Sequence, residues 1–168
     1  QAMPRPDGLL PSALLMAATA LLAAAPASPL AAKDSLGMFE SWGSFRDPAI
    51  PRCYAIAMAM PSAKRHDYQP YASIGTWPRK QARNQVHFRL SRATGPTSQI
   101  TLSIGGERYK LVGGGGDAWS ADGRTDAAIV AAMRSATTMT VSARDTKGNP
   151  FTNSYDLAGA ATAMDAAT

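Results

Sequence analysis

Between residues 84 and 92 the apolar positions Val86, Phe88 and Leu90 alternate with His87, Arg89 and Ser91, the period of a half-buried strand. One face of this strand is apolar and the other is basic. A turn at residues 93–97 leads to a second alternating run at 99–104, and Gly105-Gly106 separates it from a third at 107–112. The three runs predict an antiparallel meander paired in chain order. Upstream, residues 53–60 alternate alanine with larger apolar residues and predict a buried central strand. A polar connection at 61–67 joins it to a strand at 70–77, which Pro78 ends, and residues 79–83 form a basic loop. Residues 33–52 contain Phe39, Trp42 and Phe45, but Gly43, Pro48 and Pro51 favour an edge strand or loop packed on the core.

Downstream, the period changes from two to that of a helix at residues 125–134. Thr125 or Asp126 is placed to cap its first turn, Ile129 and Met133 share a face, and Arg134 suits its carboxyl end. Period two returns at 138–144 and 151–156, on either side of a turn at 145–150. The alanine-rich tail, 157–167, reads as a short terminal helix. The predicted fold is mainly β: an antiparallel β-sandwich of about seven strands with one packed α-helix, preceded by an N-terminal signal or anchor helix.

That leader changes how the composition is read. Residues 8–32 carry no charge, and residues 9–25 are rich in Leu, Ala and Met behind Arg5. This is the pattern of a secretory signal peptide. Ala25-Pro26-Ala27 offers one small-x-small cleavage site and the stretch ending at Ala32 another, giving an expected mature start between Ser28 and Lys33. The alternative is a retained membrane anchor. Its apolar core is near the lower length limit for crossing a bilayer of roughly 30 Å, and Pro11 and Pro26 bracket it. Residues 1–32 are thus a signal peptide or anchor, and residues 33–168 a single domain. The expected location is periplasmic or secreted, or else the inner membrane with a periplasmic domain if residues 9–25 are retained.

The net charge of +5 belongs to the folded part, because the leader holds one basic and one acidic residue, Arg5 and Asp7. Arg79, Lys80, Arg83, Arg89 and Arg92 fall close together and form a candidate face for an anionic partner. An unidentified protein, anionic lipid or acidic polysaccharide fits that face, whereas export argues against nucleic acid.

Catalytic signatures are sparse. There is no Gly-x-Ser-x-Gly elbow and no His-Glu-x-x-His, and the run Gly113 to Gly116 is followed by Asp and Trp instead of the Lys and Ser/Thr of a phosphate loop. That run reads as a flexible turn or bulge. Asp117, Asp122 and Asp126 miss the spacing of a calcium loop. His66 and His87, with one cysteine on another strand, do not make a zinc set, so no metal or cofactor is expected. Cys53, with His87 as base, is formally a nucleophile, but a cysteine opening an apolar strand reads first as a buried thiol. In an exported chain, a lone cysteine also suggests a partner in another chain or beyond this one's end.

Several short motifs together resemble one family. They are Trp42-Gly43, Arg52-Cys53-Tyr54-Ala55-Ile56-Ala57, the stretch from Ala72 to Trp77, Thr101-Leu102-Ser103-Ile104-Gly105, Asp126-Ala127-Ala128-Ile129-Val130 and the tail from Asp156 to Met164. In this order they look like the invasion-associated locus B family, exported proteins of alphaproteobacteria. The resemblance implies an envelope or periplasmic β-sandwich with no established reaction, linked in some pathogens to entry into host cells. Family members commonly carry further cysteines, and Cys53 alone leaves a stabilising disulfide without a partner here. The expected function is a non-enzymatic exported binding module with a basic face. The alternatives are an accessory subunit of an inner-membrane complex and an envelope enzyme in which His87, Cys53 and Asp117 are the residues of interest.

Overall fold

The computed structural model describes residues 32–168, so the expected helix at residues 9–25 and the choice between signal peptide and anchor lie outside the described residues. Nine strands follow one another as β1 (Asp34–Phe39), β2 (Trp42–Asp47), β3 (Arg52–Met58), β4 (Tyr71–Trp77), β5 (Ala82–Thr94), β6 (Ile100–Ile104), β7 (Glu107–Ser120), β8 (Thr138–Arg144) and β9 (Pro150–Asp156). Helix α1 (Gly123–Met133) lies between β7 and β8, and α2 (Ala160–Ala166) follows β9. The mainly antiparallel β reading holds. The strand count does not: among the described residues there are nine strands instead of about seven, because residues 33–52 form a full hairpin, while α2 is the short terminal helix expected of the alanine-rich tail.

All nine strands belong to one sheet, in the order β1-β2-β3-β4-β5-β7-β6-β8-β9. The sheet folds over so that its ends meet. The Met60 N–H donates to the Ser154 carbonyl at 2.8 Å, the Ser41 N–H to the Ala158 carbonyl at 3.3 Å, and the Trp42 indole N–H to the Asp156 carbonyl at 2.9 Å. The expected two-layered interior is therefore built by one sheet turned back on itself. Its apolar side chains come from alternate positions of both halves, with Trp42, Phe88, Leu90, Leu102, Val141 and Tyr155 all fully buried. Phe88 and Tyr155 meet across the fold with ring centroids 5.8 Å apart. Burial of each such large side chain contributes about 1.5–3 kcal/mol.

The meander is corrected in its neighbours. β6 does not pair with β5; β7 runs between them, pairing Leu111 with Ile100 and Ala118 with Phe88. Alternation decides which side chains face inward but is silent on which strand lies alongside. β7 serves both halves because it bends at Gly113 to Gly116. At Gly113 an added Cβ would lie 2.1 Å from the Asp117 carbonyl oxygen, and Gly115 has φ of +61°, so the run is a bulge within a strand.

Helix α1 starts two residues earlier than its sequence pattern places it. Asp122 is its cap, accepting from the Thr125 N–H at 2.8 Å, and not Thr125 or Asp126. Asp126 is instead buried, where it accepts from the Val86 N–H at 2.8 Å and from the Ser120 hydroxyl. Ile129, Val130 and Met133 turn into the core, and α1 covers β5 and β7. Helix α2 covers β1, β2 and β3, where the Ser44 hydroxyl donates to the Ala163 carbonyl. With the two helices closing the fold, the outer face of β3, β4, β5 and the end of β7 remains open.

Candidate binding surface

The outer side chains of this open face follow from the register. Ile56, Ser73, His87 and Trp119 stand in one row across β3, β4, β5 and β7, and Met58, Tyr71, Arg89 and Asp117 stand in the next. Cross-strand neighbours in such rows are within reach of one another. Asp117 joins two of them: it lies 3.0 Å from His87 Nε2 and accepts from Arg89 Nη1 at 2.8 Å. The His87 ring is flanked by Trp119 and Tyr71, at centroid distances of 5.2 and 5.7 Å.

Aromatic rings lie flat on this face where the strands carry glycine. An added Cβ at Gly75 would meet the Trp77 ring at 2.6 Å, and one at Gly116 the Tyr68 ring at 2.5 Å. Arginines then stack on these and neighbouring rings: Arg89 sits 3.9 Å from the Tyr68 centroid, and Arg52 lies 4.5 Å from that of Tyr54 and 5.9 Å from that of Trp77. The result is a surface on which rings and guanidinium groups stack against one another.

The five basic residues singled out from sequence separate into two groups. Arg89 is engaged by Asp117 and Tyr68, and Arg92 donates to Asp145 at 2.9 Å and to the Arg65 carbonyl at 3.1 Å. The Asp145 carboxyl is held below the usual carboxylate range, chiefly by the Asn149 N–H, with Arg92 adding to it. Arg79, Lys80 and Arg83 are different. The first two lie on a 3-10 turn (Pro78–Lys80) and Arg83 is the second residue of β5, so all three lie at or beside the β4–β5 connection. They are exposed and form no ion pair among the described residues.

His87 and Asp117 are in contact, which their separation by 30 positions concealed. Cys53 is not with them: it is a half-buried free thiol on β3 opposite Thr76. Ser73 stands directly opposite His87, a neighbour that sequence reasoning passed over because the pairing of β4 with β5 is not written in the stretch from Ala72 to Trp77. His66 is exposed in the β3–β4 loop. Asp117, Asp122 and Asp126 serve an ion pair, a helix cap and a buried hydrogen-bond network, respectively. Among the described residues no group of three or more His, Cys, Asp or Glu side chains is arranged to hold a metal ion, and no helix is long and apolar enough to cross a membrane.

A family model described as invasion-associated locus B (IalB) protein matches residues 47–168, from the end of β2 to the last residue. No curated protein and no solved structure matches the chain.

Proposed function

The chain belongs to the invasion-associated locus B family, and from that membership we propose that it is an exported, non-enzymatic binding module of the cell envelope. In this reading it presents Arg79, Lys80 and Arg83 to an acidic partner such as anionic lipid, an acidic polysaccharide or an acidic protein surface. The observation that carries the proposal is the exposure of these three cations on one connection with no carboxylate partner among the described residues. Charges so placed retain their long-range attraction, whereas Arg89 and Arg92 have theirs largely cancelled.

An envelope enzyme is the second reading, and the His87–Asp117 contact favours it by supplying a base and a group that orients it. Among the described residues no nucleophile completes the set: Cys53 lies elsewhere on β3, and no hydrogen bond joins Ser73 to His87. The binding reading is therefore preferred.

The test is co-sedimentation with phosphatidylglycerol vesicles and with polygalacturonate over a salt series. Replacing Arg79, Lys80 and Arg83 together with Gln is expected to weaken vesicle binding by about 100-fold, at roughly one kcal/mol for each cation, and to flatten its salt dependence. Unchanged vesicle binding by the triple variant would remove this connection as the contact surface.

A further inference from the structure

The open sheet face holds a groove of about 340 Å³, lined by Lys33, Arg52, Tyr54, Ile56, Tyr71, Ser73 and His87. It lies apart from the Arg79–Lys80–Arg83 connection and does not depend on the reading given above. Its polar lining consists mostly of donors. Lys33 and Arg52 bring ammonium and guanidinium groups, and Tyr54, Tyr71 and Ser73 bring hydroxyls.

Two observations give this groove a charge preference. Lys33 and Arg52 both face the Asp47 carboxylate, at 4.0 and 3.9 Å, so two cations share one anion and an excess of one positive charge remains. The other Asp47 oxygen is already committed to the N–H groups of Ala49 and Ile50, at 3.1 and 3.2 Å. Arg52 Nε is itself buried without a hydrogen-bond partner. The Arg52 side chain is 27% exposed, so an anionic acceptor reaches the rest of its guanidinium from solvent and makes a charge-assisted hydrogen bond there.

We infer that this groove binds a single carboxylated sugar unit, a uronate residue of an acidic polysaccharide. One excess positive charge matches one carboxylate, which Lys33 and Arg52 would hold by charge-assisted hydrogen bonds. The hydroxyls of Tyr71 and Ser73 complement sugar hydroxyls. The rings of Tyr71 and His87 offer apolar surface to the C–H face of a pyranose. A phospholipid headgroup fits less well, because the lining carries one large aliphatic side chain, Ile56, and no channel for acyl chains.

The test is a titration of the isotope-labelled protein followed by amide chemical shifts, with trigalacturonate as probe and maltotriose, acetate and phosphatidylglycerol vesicles as comparisons. Trigalacturonate is expected to shift the amides of residues 52–56, 71–73 and 87, while maltotriose and acetate leave them in place. Lys33→Gln, Tyr71→Phe and Ser73→Ala should each weaken binding by about tenfold, the loss of one hydrogen bond to a charged or sugar group, without lowering the thermal midpoint. The Arg79→Gln, Lys80→Gln, Arg83→Gln variant should titrate as the parent does, which separates this inference from the vesicle-binding proposal. No response to trigalacturonate at about 10 mM, well above a millimolar dissociation constant, would overturn the inference. So would an equal response to acetate or maltotriose, a response to vesicles alone, or full affinity in the groove variants.

Discussion

The two faces of β5 share one backbone and obey opposite rules. Val86, Phe88 and Leu90 on the inner face are fully buried in the apolar core, where Phe88 meets the ring of Tyr155. One residue out of step, His87 and Arg89 remain half-exposed and are held by a carboxylate, stacked rings and one another's partners. The inner face excludes water and is stabilised by area removed from it. The outer face keeps water and is ordered by directional contacts whose strength solvent reduces. Stability should therefore reside on one face and recognition on the other.

Three substitutions test that division. Phe88→Ala empties a fully buried site facing Tyr155 and should cost about 3–5 kcal/mol in urea unfolding, the usual range for deleting a large core side chain. A cost near that of a surface change would mean that the fold closes over the cavity and the inner face is not rigidly packed. Asp126→Ala removes the acceptor that α1 offers to the Val86 N–H and the Ser120 hydroxyl. It should cost about 1–3 kcal/mol, the penalty for leaving a buried donor unsatisfied, and should speed exchange of the Val86 amide. An unchanged exchange rate would show that water takes the place of the carboxylate.

Asp117→Asn has the smallest expected effect on folding. The side chains of Asp117 and Arg89 are 31% and 29% exposed, so weakening their ion pair should change stability by no more than about 1 kcal/mol. The same substitution should release His87 and Arg89 and alter the groove lining, visible as shifted ring resonances of Trp119 and Tyr71. A destabilisation as large as that of Phe88→Ala would erase the distinction between the faces.

Much of the architecture was legible because strands and turns are written at short range. The period of two in residues 84–92 placed Val86, Phe88 and Leu90 inside, and Gly105-Gly106 made the β6–β7 turn with both residues at positive φ. Prolines obscured the hairpin of β1 and β2, although its Trp42 is as buried as any residue in the chain. The charge run misled in part. Adjacent cations in sequence predict a common face only until distant carboxylates such as Asp117 and Asp145 arrive to engage Arg89 and Arg92.

The sequence alone therefore determined the mainly β class, the inward set of each strand and the location of α1, since each depends on residues a few positions apart. Only the tertiary structure decided that β7 enters between β5 and β6, that the sheet closes on itself through Met60 and Ser154, and that His87 meets Asp117. These are pairings between distant segments. Their free energies depend on shape and charge brought together by the whole fold, and no local period records them.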